Sequence, residues 1–129
     1  MSSVIIFTDG ASKGNPGPAS IGASLVVDEK EVAWISESIG QATNNIAEYT
    51  ALLEGLRKAQ ELGYQEVLVK ADSELMVKQL NGEYRVKNPD IKVIFLKVQE
   101  LIKEFDKISF THVRREFNQR ADQLANLAL

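Results

Sequence analysis

The sequence predicts an α/β fold: a mixed five-stranded sheet with helices on both faces. Three observations lead there. The opening third holds β-prone apolar runs separated by turn residues. From Asn45 the apolar spacing changes to that of helices, and beyond Gly63 compact β runs alternate with helical stretches. The order is β-β-β-α-β-α-α-β-α, in which the first three strands can pair as antiparallel neighbours and the helical crossovers impose parallel pairing on the rest.

Val4-Ile5-Ile6-Phe7 is a short apolar strand, stopped by Asp9-Gly10. Strand-like stretches at about 20–27 and 31–39 flank Asp28-Glu29-Lys30, which reads as a hairpin turn. Tyr49, Leu52, Leu53, Leu56, Ala59 and Gln60 share one helical face, and Gly63 closes that helix. Glu66 to Ala71 is a compact strand that enters a short helix with Met76, Val77 and Leu80 inward. Ile91, Ile94, Phe95, Val98, Leu101, Ile102 and Phe105 recur at spacings of three and four, the clearest helical pattern in the chain. Ile108 to Val113 is the last strand, and Phe117, Ala121, Leu124, Ala125 and Ala128 mark a closing amphipathic helix. Tyr49 and Phe95 fall on core faces, and Trp34 is expected to pack on the sheet.

The 129 residues suit one domain spanning 1–129, with no repeat, linker or low-complexity tract. No apolar run approaches the ~20 residues that cross a bilayer, and Met1-Ser2-Ser3 lacks the basic start of a secretory signal. Without cysteine there is no disulfide framework, thiolate metal site or cysteine nucleophile, and a cytoplasmic setting is the expectation. The formal charge of −3, from 15 basic and 18 acidic residues, argues against a protein that coats DNA.

Four acids stand where chemistry collects in such a sheet, at strand ends and first helical turns. Asp9 ends the first strand, Glu48 lies in the first turn of the first helix, Asp72 follows the fourth strand, and Asp122 opens the last helix. Each has a local explanation. Asn45-Ile46-Ala47-Glu48 fits a capping box, Asp72 can cap the helix after it, Asp122 suits a helix dipole, and Asp9-Gly10 is a turn pair. Taken together, the topology brings all four to one sheet edge, where uncompensated carboxylates repel. Hard divalent cations resolve that conflict, because Mg²⁺ prefers oxygen ligands and keeps waters for substrate phosphates. Two such ions about 3.5–4 Å apart activate water and stabilise the leaving oxygen in phosphodiester displacement. Two Mg²⁺ ions, adding four charges, move the formal balance from −3 to +1.

At these residues the sequence resembles the ribonuclease H type 1 family. Thr8-Asp9-Gly10-Ala11-Ser12-Lys13-Gly14-Asn15-Pro16-Gly17 is similar to its opening strand-and-loop motif, and Thr43-Asn44-Asn45-Ile46-Ala47-Glu48-Tyr49 to the start of its first helix. Ala71-Asp72-Ser73 matches the third acidic motif and Arg120-Ala121-Asp122-Gln123-Leu124-Ala125 the fourth. Four motifs in order, over essentially the full chain, make a specific match. The resemblance implies a ribonuclease H-like fold and hydrolysis of the RNA strand of RNA/DNA hybrids, with Mg²⁺ or Mn²⁺, leaving 5′-phosphate and 3′-hydroxyl ends. It makes Asp9, Glu48, Asp72 and Asp122 the metal-binding catalytic carboxylates, with Asp9 bridging two ions, Glu48 and Asp72 holding one, and Asp122 completing the other site.

The family also implies how substrate is read. The 2′-hydroxyls of the RNA strand are what distinguish a hybrid from duplex DNA. Ser12, Gly14, Asn15, Asn44 and Asn45 match minor-groove positions, and Thr43 matches a phosphate-pocket residue for the DNA strand. Turn chemistry at Gly14-Asn15-Pro16-Gly17 and helix capping by Thr43, Asn44 or Asn45 are the local alternatives. Double-stranded RNA is a further substrate that the sequence leaves open.

Three departures from the family stand out. The basic protrusion of many relatives is missing, since Gly82 to Asp90 passes quickly into the long helix, and weaker hybrid binding is expected. The loop before the final acid reads Arg114-Arg115-Glu116-Phe117-Asn118-Gln119 and has no His; His112 is placed in the last strand as a structural residue. Glu74 stands where many relatives have Gln, and an acid accepts from a 2′-hydroxyl but repels phosphate. A binding module without catalysis is the rival reading, disfavoured because four clustered acids hinder binding to a polyanion. The ribonuclease portion of a larger polymerase is a third, and a free protein without an obligate protein partner is the expectation.

Overall fold

The computed structural model describes residues 3–129. Strands β1 (Ser3–Ser12), β2 (Gly17–Val27) and β3 (Lys30–Ala42) precede helix α1 (Asn44–Glu61); β4 (Glu66–Ala71) leads to α2 (Glu74–Leu80) and α3 (Pro89–Ile102). Strand β5 (Lys107–His112) and one 3₁₀ turn at Arg115–Phe117 lead into α4 (Gln119–Leu127). The sheet order is β3-β2-β1-β4-β5, antiparallel through the first three strands in sequence and parallel between β1, β4 and β5. The expected order, strand number and pairing are all present.

Side-chain alternation along β2 sends the two helical layers to opposite faces. Ala23 meets Gly55 of α1 on one face, while the adjacent Gly22 lies against Ala121, Leu124 and Ala125 of α4 on the other. The main core lies between the sheet and α1. Ile6, Leu25, Leu52, Leu56 and Val69 are fully enclosed, and α3 closes over them through Ile91 and Val98. Tyr49 packs edge to face on Phe95, with ring centroids 6.4 Å apart.

Several local expectations give way to tertiary contacts. β1 does not stop at Asp9-Gly10. It runs on to Ser12 because β2 pairs with it that far, so Asp9 lies inside the strand opposite Gly22. The hairpin turn is Asp28-Glu29, both with positive φ (51° and 67°), as a two-residue turn of this twist requires, and Lys30 already belongs to β3. Thr43 rather than Asn45 caps α1, its Oγ1 accepting from the Ile46 N–H, which puts Glu48 in the second turn and outside any capping box. Ser73 rather than Asp72 caps α2. Trp34 is 58% exposed on the edge strand, and Phe117 is 62% exposed ahead of α4. Gln60 faces outward, and Phe105 is buried beyond the end of α3. Among the described residues no helix is long and apolar enough to cross a membrane.

Candidate active site

The register of the parallel strands brings the first two acids together. Thr8 and Ala71 are the last paired residues of β1 and β4, so Asp9 and Asp72 follow them from neighbouring strands at the carboxyl end of the sheet. Glu48 is brought in by the close crossing of α1 over β1. A Cβ on Gly10 would lie 2.2 Å from the Ala47 carbonyl carbon and 2.3 Å from the Glu48 nitrogen, so only glycine permits this approach. Across that gap the Gly10 N–H donates to Glu48 Oε1 at 3.0 Å. Asp9, Glu48 and Asp72 each offer a carboxylate oxygen, and the three lie within 4.8 Å of one another.

Asp122, in the first turn of α4, comes close enough to Asp9 for their carboxyl groups to hydrogen-bond. All four acids line one open cleft of about 430 Å³, together with Gly10, Ser12, Asn44 and Arg115. The quartet expected from sequence is therefore assembled.

Its electrostatics follow from burial and like charge. Asp9 and Glu48 are 6% and 5% exposed. Desolvation, then the charges of Glu48 and Asp72, then the hydrogen bond and charge of Asp122, push the Asp9 carboxyl up to about 9. Desolvation and the charge of Asp72 push Glu48 up to about 8, against the pull of the Gly10 N–H and the Arg115 charge. An all-oxygen donor set held together against its own repulsion fits a hard divalent cation, whose charge would reverse both shifts.

The β1–β2 loop is pinned beside this cleft. Ser12 Oγ reaches the carbonyls of Gly14 and Ala42, and Asn15 Oδ1 accepts from the Asn44 N–H at 3.0 Å. Ser12 and Asn44 line the carboxylate cleft, whereas Asn45 lines an adjoining groove between α1, α2 and the segment ahead of α3, which also contains Tyr84 and Arg85. Gly14, Asn15, Asn44 and Asn45 are exposed, and the Thr43 hydroxyl is engaged in capping.

Two contributors are placed by the fold rather than by the sequence pattern. Arg114 and Arg115 are adjacent in the loop before the final acid, and Arg115 lines the cleft while Arg114 pairs with Glu116 at 2.8 Å and stacks on Phe117. Asn118 is fully buried. A lone Asn before a helix looks like a cap, and only the fold shows what its side chain reaches. His112 lies exposed on β5.

A family model described as "Reverse transcriptase-like" matches residues 7–128. Ribonuclease HI of Halobacterium salinarum is 46% identical over 124 residues, covering 95% of this chain and 62% of that protein. A bifunctional protein of Mycobacterium tuberculosis is 44% identical over 128 residues, covering 98% of this chain but only 35% of that protein. Ribonuclease H of Pseudomonas entomophila is 35% identical over 140 residues, covering 96% of this chain and 91% of the relative. Among solved structures, RNase H1 of the same Halobacterium superposes with a TM-score of 0.96 at 44% identity, covering 98% of this chain and 97% of the other. LC11-RNase H1, solved in complex with an RNA/DNA hybrid, superposes at 0.92 and 41% identity, covering 97% and 95%.

Proposed function

From the premise that the chain belongs to the ribonuclease H family, we propose that it is an endonuclease that hydrolyses the RNA strand of RNA/DNA hybrids, with residues 1–129 acting as one catalytic domain. The observation that carries this reading is the convergence of Asp9, Glu48, Asp72 and Asp122 in one cleft against their mutual repulsion. Mere binding of a polyanion would gain nothing from it.

Two Mg²⁺ ions, or Mn²⁺, fit the donor set. Asp9, Glu48 and Asp72, whose oxygens lie within 4.8 Å of one another, and Asp122, beside Asp9, would hold them, and the family resemblance makes Asp9 the acid common to both. Bound there, the ions would activate a water for in-line attack on phosphorus and stabilise the departing 3′-oxygen, leaving 5′-phosphate and 3′-hydroxyl ends. The protein's part is to hold four anions in register, and no side chain has to serve as a covalent nucleophile. Arg115 adds a cationic side chain to a cleft whose other charged side chains are the four acids.

Ser12, Gly14, Asn15, Asn44 and Asn45 form the substrate-reading rim. Because Asn15 Oδ1 is engaged by Asn44, its amide is left to donate outward to acceptors of the minor groove. Thr43 can serve the DNA-strand phosphate while capping α1. A cytoplasmic setting, with which the cysteine-free composition is compatible, completes the reading.

Strand-labelled cleavage of a hybrid, an RNA duplex and a DNA duplex, each with Mg²⁺, Mn²⁺ and chelator, tests it. The RNA of the hybrid should be cut only with metal, and the DNA duplex should stay intact. Metal-independent binding with no turnover would replace the nuclease with a binding module.

A further inference from the structure

Asn118 occupies the residue before α4, the N-cap position, where an Asn side chain ordinarily accepts from the first free N–H groups of its helix. Here it makes no such bond. The carboxamide turns away from the helix, and Nδ2 donates to the Thr8 carbonyl of β1 at 2.9 Å, while its Oδ1 accepts from no protein donor among the described residues. The residue is 1% exposed. A cap has been given up for a bond to the neighbouring strand.

The two ends of that bond lie next to two of the four carboxylates. Thr8 is the last β1 residue paired with β4, and Asp9 follows it. The Asn118 carbonyl accepts from the Asp122 N–H at 3.1 Å, the first turn of α4. Asp9 is thus joined to Asp122 through one peptide unit, the Asn118 amide and one helical hydrogen bond, all of them buried or inside an element.

The other end of α4 is held separately, by Ser20 Oγ donating to the Ala125 carbonyl and Ser36 Oγ to the Leu124 carbonyl. In the first turn itself, Ala121 packs on Gly22 of β2 and Arg120 bonds Glu31 of β3. Among the described residues, Asn118 carries the side-chain hydrogen bond from the start of α4 to β1, the strand of Asp9.

We propose that Asn118 is a positioning residue that sets the separation of Asp9 and Asp122, and thereby the affinity of the half of the cation pocket those two acids share. The proposal rests on reading the four carboxylates as a metal site. Losing a group that orients metal ligands without touching the metal weakens binding about 10–100-fold. A merely structural Asn would lower the melting temperature and leave the metal midpoint alone.

The test is a titration of Mg²⁺ alone, followed through the backbone amide resonances of Asp9 and Asp122, in the wild type, Asn118→Ala and Val98→Ala. Val98 is a fully buried α3 residue outside the cleft, so its truncation matches a loss of stability without touching the site. The Asn118→Ala midpoint should rise about tenfold, with Val98→Ala at the wild-type value. An unchanged midpoint in Asn118→Ala overturns the positioning role. Absence of any Mg²⁺-dependent shift in the wild type overturns the metal reading itself, a different failure.

Should Asn118→Ala not fold, the wild type decides. Coupling is reciprocal, so Mg²⁺ must slow exchange of the Asn118 side-chain amide protons by more than it slows the backbone amide of Leu52 in the core. Equal slowing at both overturns the proposal.

Discussion

Asp9 and Glu48 are the residues at which this fold works against itself. Their ordinary values are 3.8 and 4.5, and in the folded chain they rise to about 9 and about 8. The native state therefore retains protons that the unfolded chain has released, so without metal its stability falls as pH rises from about 4 and levels off above 8 to 9, where both groups have ionised in the fold as well. Melting curves in chelator should show the melting temperature dropping across that window. Asp9→Asn should keep only the Glu48 part of the slope and be more stable than wild type at pH 8.5, while cutting falls more than about 100-fold. A flat wild-type profile would refute the assigned repulsion. At Glu74, exposed on the first turn of α2, Glu→Gln removes a charge that repels phosphate and adds a donor. The hybrid KM should fall about two- to threefold at low salt, and the gain should shrink in high salt. These acids were legible in the sequence because carboxylates at element ends follow from the order of elements alone. Which of them would carry the burden of burial was not.

At the scale of elements, the differences from expectation all arise where a neighbour overrides a local preference. Asn45 to Glu48 has the form of a capping box, yet the helix starts two residues earlier with Thr43 as its cap, and Glu48 accepts from the Gly10 N–H instead. Gly10 makes that contact possible. Gly10→Ala should force α1 away from β1, cost more than about 2 kcal/mol in chemical denaturation, and reduce cutting through displacement of Glu48. Wild-type stability and rate in that variant would contradict the packing described. The β2–β3 turn carries the reverse opportunity, since Glu29 holds φ at 67° without being glycine. Glu29→Gly should add about 1 kcal/mol to the unfolding free energy, read from the denaturation midpoint at unchanged slope. Trp34 and Phe117 show a limit of pattern reading. Trp34 is read as a strand residue packed on the sheet and Phe117 as part of the closing helix's apolar face, but Trp34 lies on the edge strand β3 and Phe117 falls on the 3₁₀ turn ahead of α4.

For the whole molecule, a cleft that destabilises the metal-free chain is a cleft whose cation stabilises it. Mg²⁺ at about a hundred times its dissociation constant should add about 2.7 kcal/mol to stability, and more at pH 8.5 than at pH 5.5, because protons and cations compete for the same oxygens. Melting temperatures across a Mg²⁺ series at the two pH values check this; equal shifts at both would place the ion elsewhere. By itself the sequence determined the order of elements, the mixed sheet, the core faces of α1 and α3, and the four acids with their family. Periodicity, turn chemistry and motif spacing are properties of neighbouring residues, so they survive without coordinates. Only the tertiary structure decided that Asp9 lies within a strand, that Arg115 rather than Arg114 faces the cleft, and that Asn118 spends its side chain on β1 instead of capping α4. Those outcomes depend on groups up to 110 positions apart competing for the same donors, acceptors and space, and no local preference carries that information.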